Sequence, residues 1–316
     1  MGGRAKLLLG VRILASGGML ALLLPRVRLA SLFPSHQLPT LRWVAAGLIA
    51  TVVAVVLSTV RWAQVLEALA LPADLPPLLS HTLAGQFVSN FLPSTVGGDV
   101  LRVARLSAAN GQRPASTASV VIERLTGFFV LPFITLVALF GNRTLLHLGT
   151  ASRLALTLSI GTLVALAAIL VLTGSRRLDD RFHHRGWLSF LDAVHVGLAR
   201  MRQNPASAIS VLVSALAYQL SVVLAAWLAV HALGIPVGWS AMMAFIPVVS
   251  IAQVLPLSVN GLGLREGALV LLLAPLGVTS TQAVALGLLL YGMNLVVSLL
   301  GAPAFAVGPR PARVVA

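Results

Sequence analysis

Asn90-Phe91-Leu92-Pro93-Ser94-Thr95-Val96-Gly97-Gly98-Asp99-Val100-Leu101-Arg102 is the stretch that decides how this chain is read. It lies between long apolar runs, yet it carries a helix-breaking proline, two adjacent glycines, a carboxylate and a guanidinium. A related stretch, Leu255-Pro256-Leu257-Ser258-Val259-Asn260-Gly261-Leu262-Gly263-Leu264-Arg265-Glu266, follows 163 residues later. Placing Pro93 on Pro256 puts Gly98 on Gly261 and Arg102 on Arg265. The chain reads as two halves that each deliver one broken, charged hairpin to a shared site.

The surroundings of these stretches set the solvent. Hydrophobic residues make up 58% of the chain and charged ones 9%, and mean hydropathy is +0.97, whereas soluble domains carry about 25% charged residues. Several apolar runs reach the roughly 20 residues a helix needs to cross the hydrocarbon core, and no run sustains the alternation of a barrel strand. The expected fold is therefore all-α, a polytopic bundle of about six full spans plus two re-entrant hairpins. The net charge of +14 comes from 22 Lys and Arg spread over short loops, which suits anionic headgroups and excludes a nucleic-acid face. With no cysteine, disulfides and thiolate metal sites are excluded, and no metal or cofactor is expected.

Along the chain the expected spans are 7–24, 43–61, 115–140, 153–173, 206–231 and 279–303. Residues 7–24 could also be a signal peptide, but no small-residue cleavage site precedes Arg26 and Arg28, so they are kept as a helix. Trp43 and Trp62 are expected at the two interfaces of the second span. The first hairpin falls at 78–108 and the second at 240–276. The polar stretch 174–204 carries six arginines and an amphipathic helix from Trp187 to Met201. The repeats become 43–173 and 206–303 within one domain covering 1–316. Loop Lys and Arg number 15 on the side of the amino terminus, with Arg61, Arg102 and Arg105 among them, against 5 on the other. The positive-inside rule then places both termini in the cytoplasm of a plasma-membrane protein. Two hairpins entering from opposite faces are what an inverted repeat produces, with a site near the midplane.

Three of the eight acidic residues fall at membrane depth, each beside an arginine: Asp99 with Arg102, Glu123 with Arg124 and Glu266 with Arg265. A charge at the bilayer centre costs about 2.5–3.5 kcal/mol even on the lenient insertion scale, which argues for a role. Structural ion pairs are the competing reading, although such pairs are often no better than packed apolar residues. Arginine suits phosphate because its planar fork donates two parallel bonds. Helix restarts at Gly98 and Gly261 would add free N–H groups. Ser94, Ser258 and Asn260 are candidate contacts or local caps, and Asn90, Gln86, Gln219 and Asn294 are candidate interhelical bonds. His183, His184 and His195 lack the carboxylates a metal site needs.

The run Gly85-Gln86-Phe87-Val88-Ser89-Asn90-Phe91-Leu92-Pro93-Ser94, then Gly97-Gly98-Asp99 with Arg102, then Glu123-Arg124-Leu125, then Leu255-Pro256 with Asn260-Gly261-Leu262-Gly263 and Arg265-Glu266-Gly267 resembles the lysylphosphatidylglycerol synthase transmembrane region family over about 7–303. The resemblance implies a lipid-translocating domain. It implies functional positions at Asn90, Pro93, Gly97, Gly98, Asp99, Arg102, Glu123, Arg124, Gly261, Arg265 and Glu266. Fused members keep their aminoacyl transferase in a soluble domain after the membrane part; here the chain stops shortly after the last span, so synthase activity is not expected. The favoured reading is a transporter of a membrane phospholipid or lipid-linked substrate. A membrane-embedded transferase with Asp99 or Glu123 as base comes second, and a scaffold for a separately encoded synthase or glycosyltransferase docked on 174–204 third. A homo-oligomer stays open.

Overall fold

The computed structural model describes residues 38–91, 97–174, 203–254 and 261–307, together with Val194, Gly197 and Ala199. The first expected helix (7–24), most of the 174–204 segment and its three histidines, and Ser94, Ser258 and Asn260 lie outside the described residues. Every described element is helical. In lipid a backbone must satisfy its own hydrogen bonds, and an apolar chain does so most simply as helix.

The first half comprises α1 (Leu38–Ala68), α2 (Leu75–Phe91), α3 (Gly97–Asn110), α4 (Arg113–Gly141), the single turn α5 (Arg143–Leu146) and α6 (Thr150–Gly174). The second comprises α7 (Pro205–Ala232), α8 (Trp239–Val254), α9 (Leu264–Leu273) with a 3-10 turn to Leu276, α10 (Ser280–Ser298) and α11 (Gly301–Val307). Five of them, α1, α4, α6, α7 and α10, are long and apolar enough to span, with mean hydropathy of 1.5 to 2.5. This is a multi-pass all-α membrane protein. The short pairs α2–α3 and α8–α9 stand where the two hairpins are expected.

Packing in the two halves follows one plan. α1 lies along α7, and α4 packs on α8 as α10 packs on α2. The contacts α1 with α2, α2 with α3, α3 with α4 and α1 with α4 recur as α7 with α8, α8 with α9, α9 with α10 and α7 with α10. Two turns fix the correspondence. After α1 the Leu71 N–H bonds the Leu66 carbonyl, with Ala70 left-handed at φ 55°; after α7 the Ile235 N–H bonds the Val230 carbonyl, with Gly234 at φ 63°. Gln112 and Thr279 are the N-caps of α4 and α10. Five residues separate α2 from α3 and nine separate α8 from α9, so the register differs from the one the prolines suggest. Counting from the N-caps, Gly98 corresponds to Arg265 and Asp99 to Glu266.

Two spans depart from expectation. α1 runs past 61 to Ala68, because Trp62, Val65, Leu66 and Leu69 continue a buried face at helical spacing. Trp62 is therefore fully buried, not interfacial, and Arg61 is 4% exposed. The last span ends at Ser298, and α11 folds back on α2, where Gly301 sits so close to the Leu83 carbonyl that a Cβ would overlap it. Arg105, counted in a loop, is buried and holds this strap: Nη1 and Nη2 donate to the Ala304 and Phe305 carbonyls at 2.9 and 3.0 Å. Arg61, Arg102 and Arg105 are thus interior residues and not loop residues, which removes all three from the expected loop count. A cation at a helix C-terminus meets both free carbonyls and the negative end of the dipole. Arg105→Ala is expected to release α11 at a cost of about 2 kcal/mol, seen as faster hydrogen exchange of the 301–307 amides with α10 unchanged.

Candidate functional site

The site begins where α2 and α3 cross. A Cβ on Gly98 would overlap the Gly85 carbonyl and the Ser89 hydroxyl, and one on Gly85 would lie 2.9 Å from the Gly98 carbonyl and 3.0 Å from Arg102 Cγ. Two glycines thus let the arms touch backbone to backbone and let the Arg102 stem pass between them. One turn on, Arg102 lies 5% exposed with its guanidinium 4.1 Å above the Trp62 ring.

Around Arg102 the charges form one connected cluster. Arg61 Nη2 donates to Glu123 Oε1, and Arg102 Nη1 stands 3.4 Å from both Glu123 Oε2 and Asp99 Oδ1. Arg124 grips Asp99 with a two-pronged fork, Nε to Oδ2 at 3.0 Å and Nη2 to Oδ1 at 2.9 Å. Arg61 also lies 4.8 Å from the Tyr218 ring, and Gly127 leaves room for its Nη1. Trp62 is pinned by a 3.1 Å bond from Nε1 to Ser119 Oγ.

These contacts revise the expected pairs. Glu123 does not pair with Arg124, nor Glu266 with Arg265, because neighbours in a helix point about 100° apart and do not face each other. Glu123 pairs instead with Arg61 from α1, a residue that sequence reasoning missed. The buried periodicity Arg61-Trp62…Val65-Leu66 was the signal that could have found it.

Three guanidiniums meet two carboxylates, leaving one positive charge in excess. Nε and Nη1 of Arg61 and Nε and Nη2 of Arg102 are buried without a hydrogen-bond partner. Arg124 is different: its side chain is 53% exposed. With Asp99 it faces a groove of about 870 Å³ between α3 and α4.

The second hairpin is built otherwise. α9 starts at Leu264, not at Gly261, which lies in the tight turn before it at φ 75°, with Gly263 at φ 80°. Glu266 is fully buried; its Oε2 accepts the Gly263 N–H at 2.6 Å, closing the first turn, while Oε1 has no partner. Gly287 makes room for it, since a Cβ there would lie 2.9 Å from Glu266 Cγ. Arg265 donates from Nε to Gln253 Oε1 at 3.1 Å, with Nη1 3.5 Å from the Gly287 carbonyl and its Cζ 5.5 Å from the Tyr291 ring centre. Asn90 and Gln86 both reach Asn294 Oδ1, at 3.5 and 2.9 Å, as interhelical bonds. Among the described residues no group of His, Asp and Glu is placed to hold a metal.

Matching the halves on their shared turns shows what the cluster replaces. Counting from Leu71 and Ile235, Arg61 and Trp62 correspond to Ala225 and Ala226, and His81 to Phe245. Counting from Gln112 and Thr279, Arg102, Arg105 and Glu123 correspond to Leu269, Leu272 and Leu290. Ala226, Phe245, Leu269 and Leu272 are all at most 1% exposed. At these positions one half carries apolar side chains where the other carries the four charged groups Arg61, Arg102, Arg105 and Glu123 together with His81, while the apolar half keeps its own buried charges, Arg265 and Glu266, at the start of α9.

No curated protein matches the chain. The model of the family described as "Lysylphosphatidylglycerol synthase TM region" matches residues 7–301, and the chain belongs to that family.

Proposed function

We propose that this protein moves a phosphate-bearing lipid between leaflets, with the Asp99, Arg102, Glu123, Arg124 and Arg61 cluster receiving the headgroup. The observation that carries this reading is the replacement just described. The second hairpin packs on the same plan with apolar residues at the positions matching Arg61, Arg102 and Glu123, its own buried charges, Arg265 and Glu266, lying at the start of α9, so the fold does not need those three charges where they stand. A purely structural triad would gain nothing over them, since desolvation offsets attraction. Surplus positive charge with unpartnered guanidinium donors suits an oxyanion.

The pairs also form an exchangeable series. A phosphate arriving from the groove competes with Asp99 for the Arg124 fork, the most exposed bond of the cluster. Asp99, released, closes its 3.4 Å gap to Arg102, and Arg102 then gives up its equally long contact to Glu123, which Arg61 holds. A headgroup event thereby reaches the α2–α3 crossing. The two halves act as an inverted repeat in this reading, and Arg265 and Glu266 serve the opposite leaflet.

The test is translocation of labelled phospholipids in proteoliposomes. Arg124→Gln, whose amide still offers Asp99 a donor, should leave the protein folded and should slow translocation at least tenfold. Unchanged translocation at matched incorporation would remove the phosphate role.

A further inference from the structure

The groove between α3 and α4 has walls that the headgroup reading does not use. We propose that it seats one acyl chain of a diacyl phospholipid whose phosphate rests on Arg113, holding the lipid beside the ionic cluster before its headgroup enters. The proposal rests on the translocation reading and names how the substrate waits.

The walls are Val100, Val103 and Ala104 from α3 and Val120, Val121 and Phe128 from α4. Along that length a headgroup would find few donors or acceptors, whereas a hydrocarbon chain loses nothing by leaving lipid for it. The groove faces outward from the bundle, with Val100 at its edge 62% exposed.

Charge marks one end and lies near the other. Arg113, the first residue of α4, is exposed, and its guanidinium has no hydrogen bond or ion pair among the described residues. Arg124 lies three turns further along the same helix, about 16 Å at 1.5 Å per residue. That is about half of a hydrocarbon core some 30 Å thick. From Arg113 to Arg124 the groove is therefore about one leaflet deep: an unpaired cation at headgroup level, an apolar slot below it, and the Arg124–Asp99 pair near the inner end, with Leu125 and Phe128 just beyond. A chain in the slot would also keep water from that pair until the phosphate reaches it.

Photolabelling tests this. The full chain would be placed in nanodiscs with trace phosphatidylglycerol bearing a diazirine on one acyl chain, irradiated and mapped by peptide mass spectrometry. Labelling of Val121 and Phe128 should exceed that of Ile160 and Val164 on α6, which are 52% and 62% exposed, by about fivefold or more. Arg113→Ala should bring groove labelling down to the α6 level. Val121→Trp, which fills the slot without touching the ionic cluster, should do the same. Equal labelling of the two surfaces in wild type would overturn the proposal. So would groove labelling that a polyprenyl phosphate competes away and excess unlabelled phosphatidylglycerol does not. Because the label reports occupancy and not movement, selective labelling in a protein that translocates nothing would support the seat and sink the transport reading alone.

Discussion

Glu123→Ala is expected to destabilise the protein by about 3–5 kcal/mol, the largest effect of any single substitution in the cluster. Glu123 is 1% exposed and is the carboxylate between Arg61 and Arg102. Removing it leaves two buried guanidiniums facing each other, with only the distant side of Asp99 for compensation. The cost is that of uncompensated buried charge, not the net value of the pair. Thermal unfolding in detergent would show it as a large drop in Tm. Glu123→Gln should fall between the two, since an amide still accepts one bond but supplies no charge. If Glu123→Ala melted within a degree or two of wild type, the triad would have to be open to water.

Gly98→Ala should come next, at about 3 kcal/mol, the upper end of what overpacking costs. The added methyl would meet the Gly85 carbonyl, and backbone cannot rotate away as a side-chain tip can. Relief requires α2 and α3 to separate, which would also withdraw Arg102 from Trp62. Gly161→Ala in α6 is the matched control, because nothing lies within 4 Å of its added Cβ. There the lost glycine entropy should stabilise the helix by about 0.5–1 kcal/mol. Opposite shifts in Tm are expected, and destabilisation of equal size at both sites would mean that the crossing is not tight.

Much of this architecture was legible in the sequence. Spans appear as apolar runs of the right length, and hairpins as shorter runs interrupted by Pro93 with Gly97-Gly98 and by Pro256 with Gly261. Partner identity was not legible. Adjacency suggested Glu123 with Arg124 and Arg265 with Glu266, but helical geometry turns such neighbours apart, and the partner of Glu123 sits on another helix. Arg61 was hidden for the same reason: a basic residue at the apparent end of an apolar run looks like a loop anchor until the buried face beyond it is traced. The prolines set a register that the longer separation of α8 and α9 shifts, so Gly98 answers to Arg265 and Arg102 to Leu269. That Gly287 admits Glu266 and Gly301 the Leu83 carbonyl depends on contacts between distant segments, which the sequence does not display.

The most direct test of the central claim makes three charged positions of the first half apolar, as the matching positions of the second are. In Arg61→Met/Arg102→Leu/Glu123→Leu the buried triad becomes packed hydrocarbon of similar volume, while Asp99 keeps its fork to Arg124. Thermal stability should stay within about 2 kcal/mol of wild type or rise, and phospholipid translocation in proteoliposomes should be lost. Translocation at the wild-type rate by that folded variant would show that the charges only hold helices together, and would contradict the account.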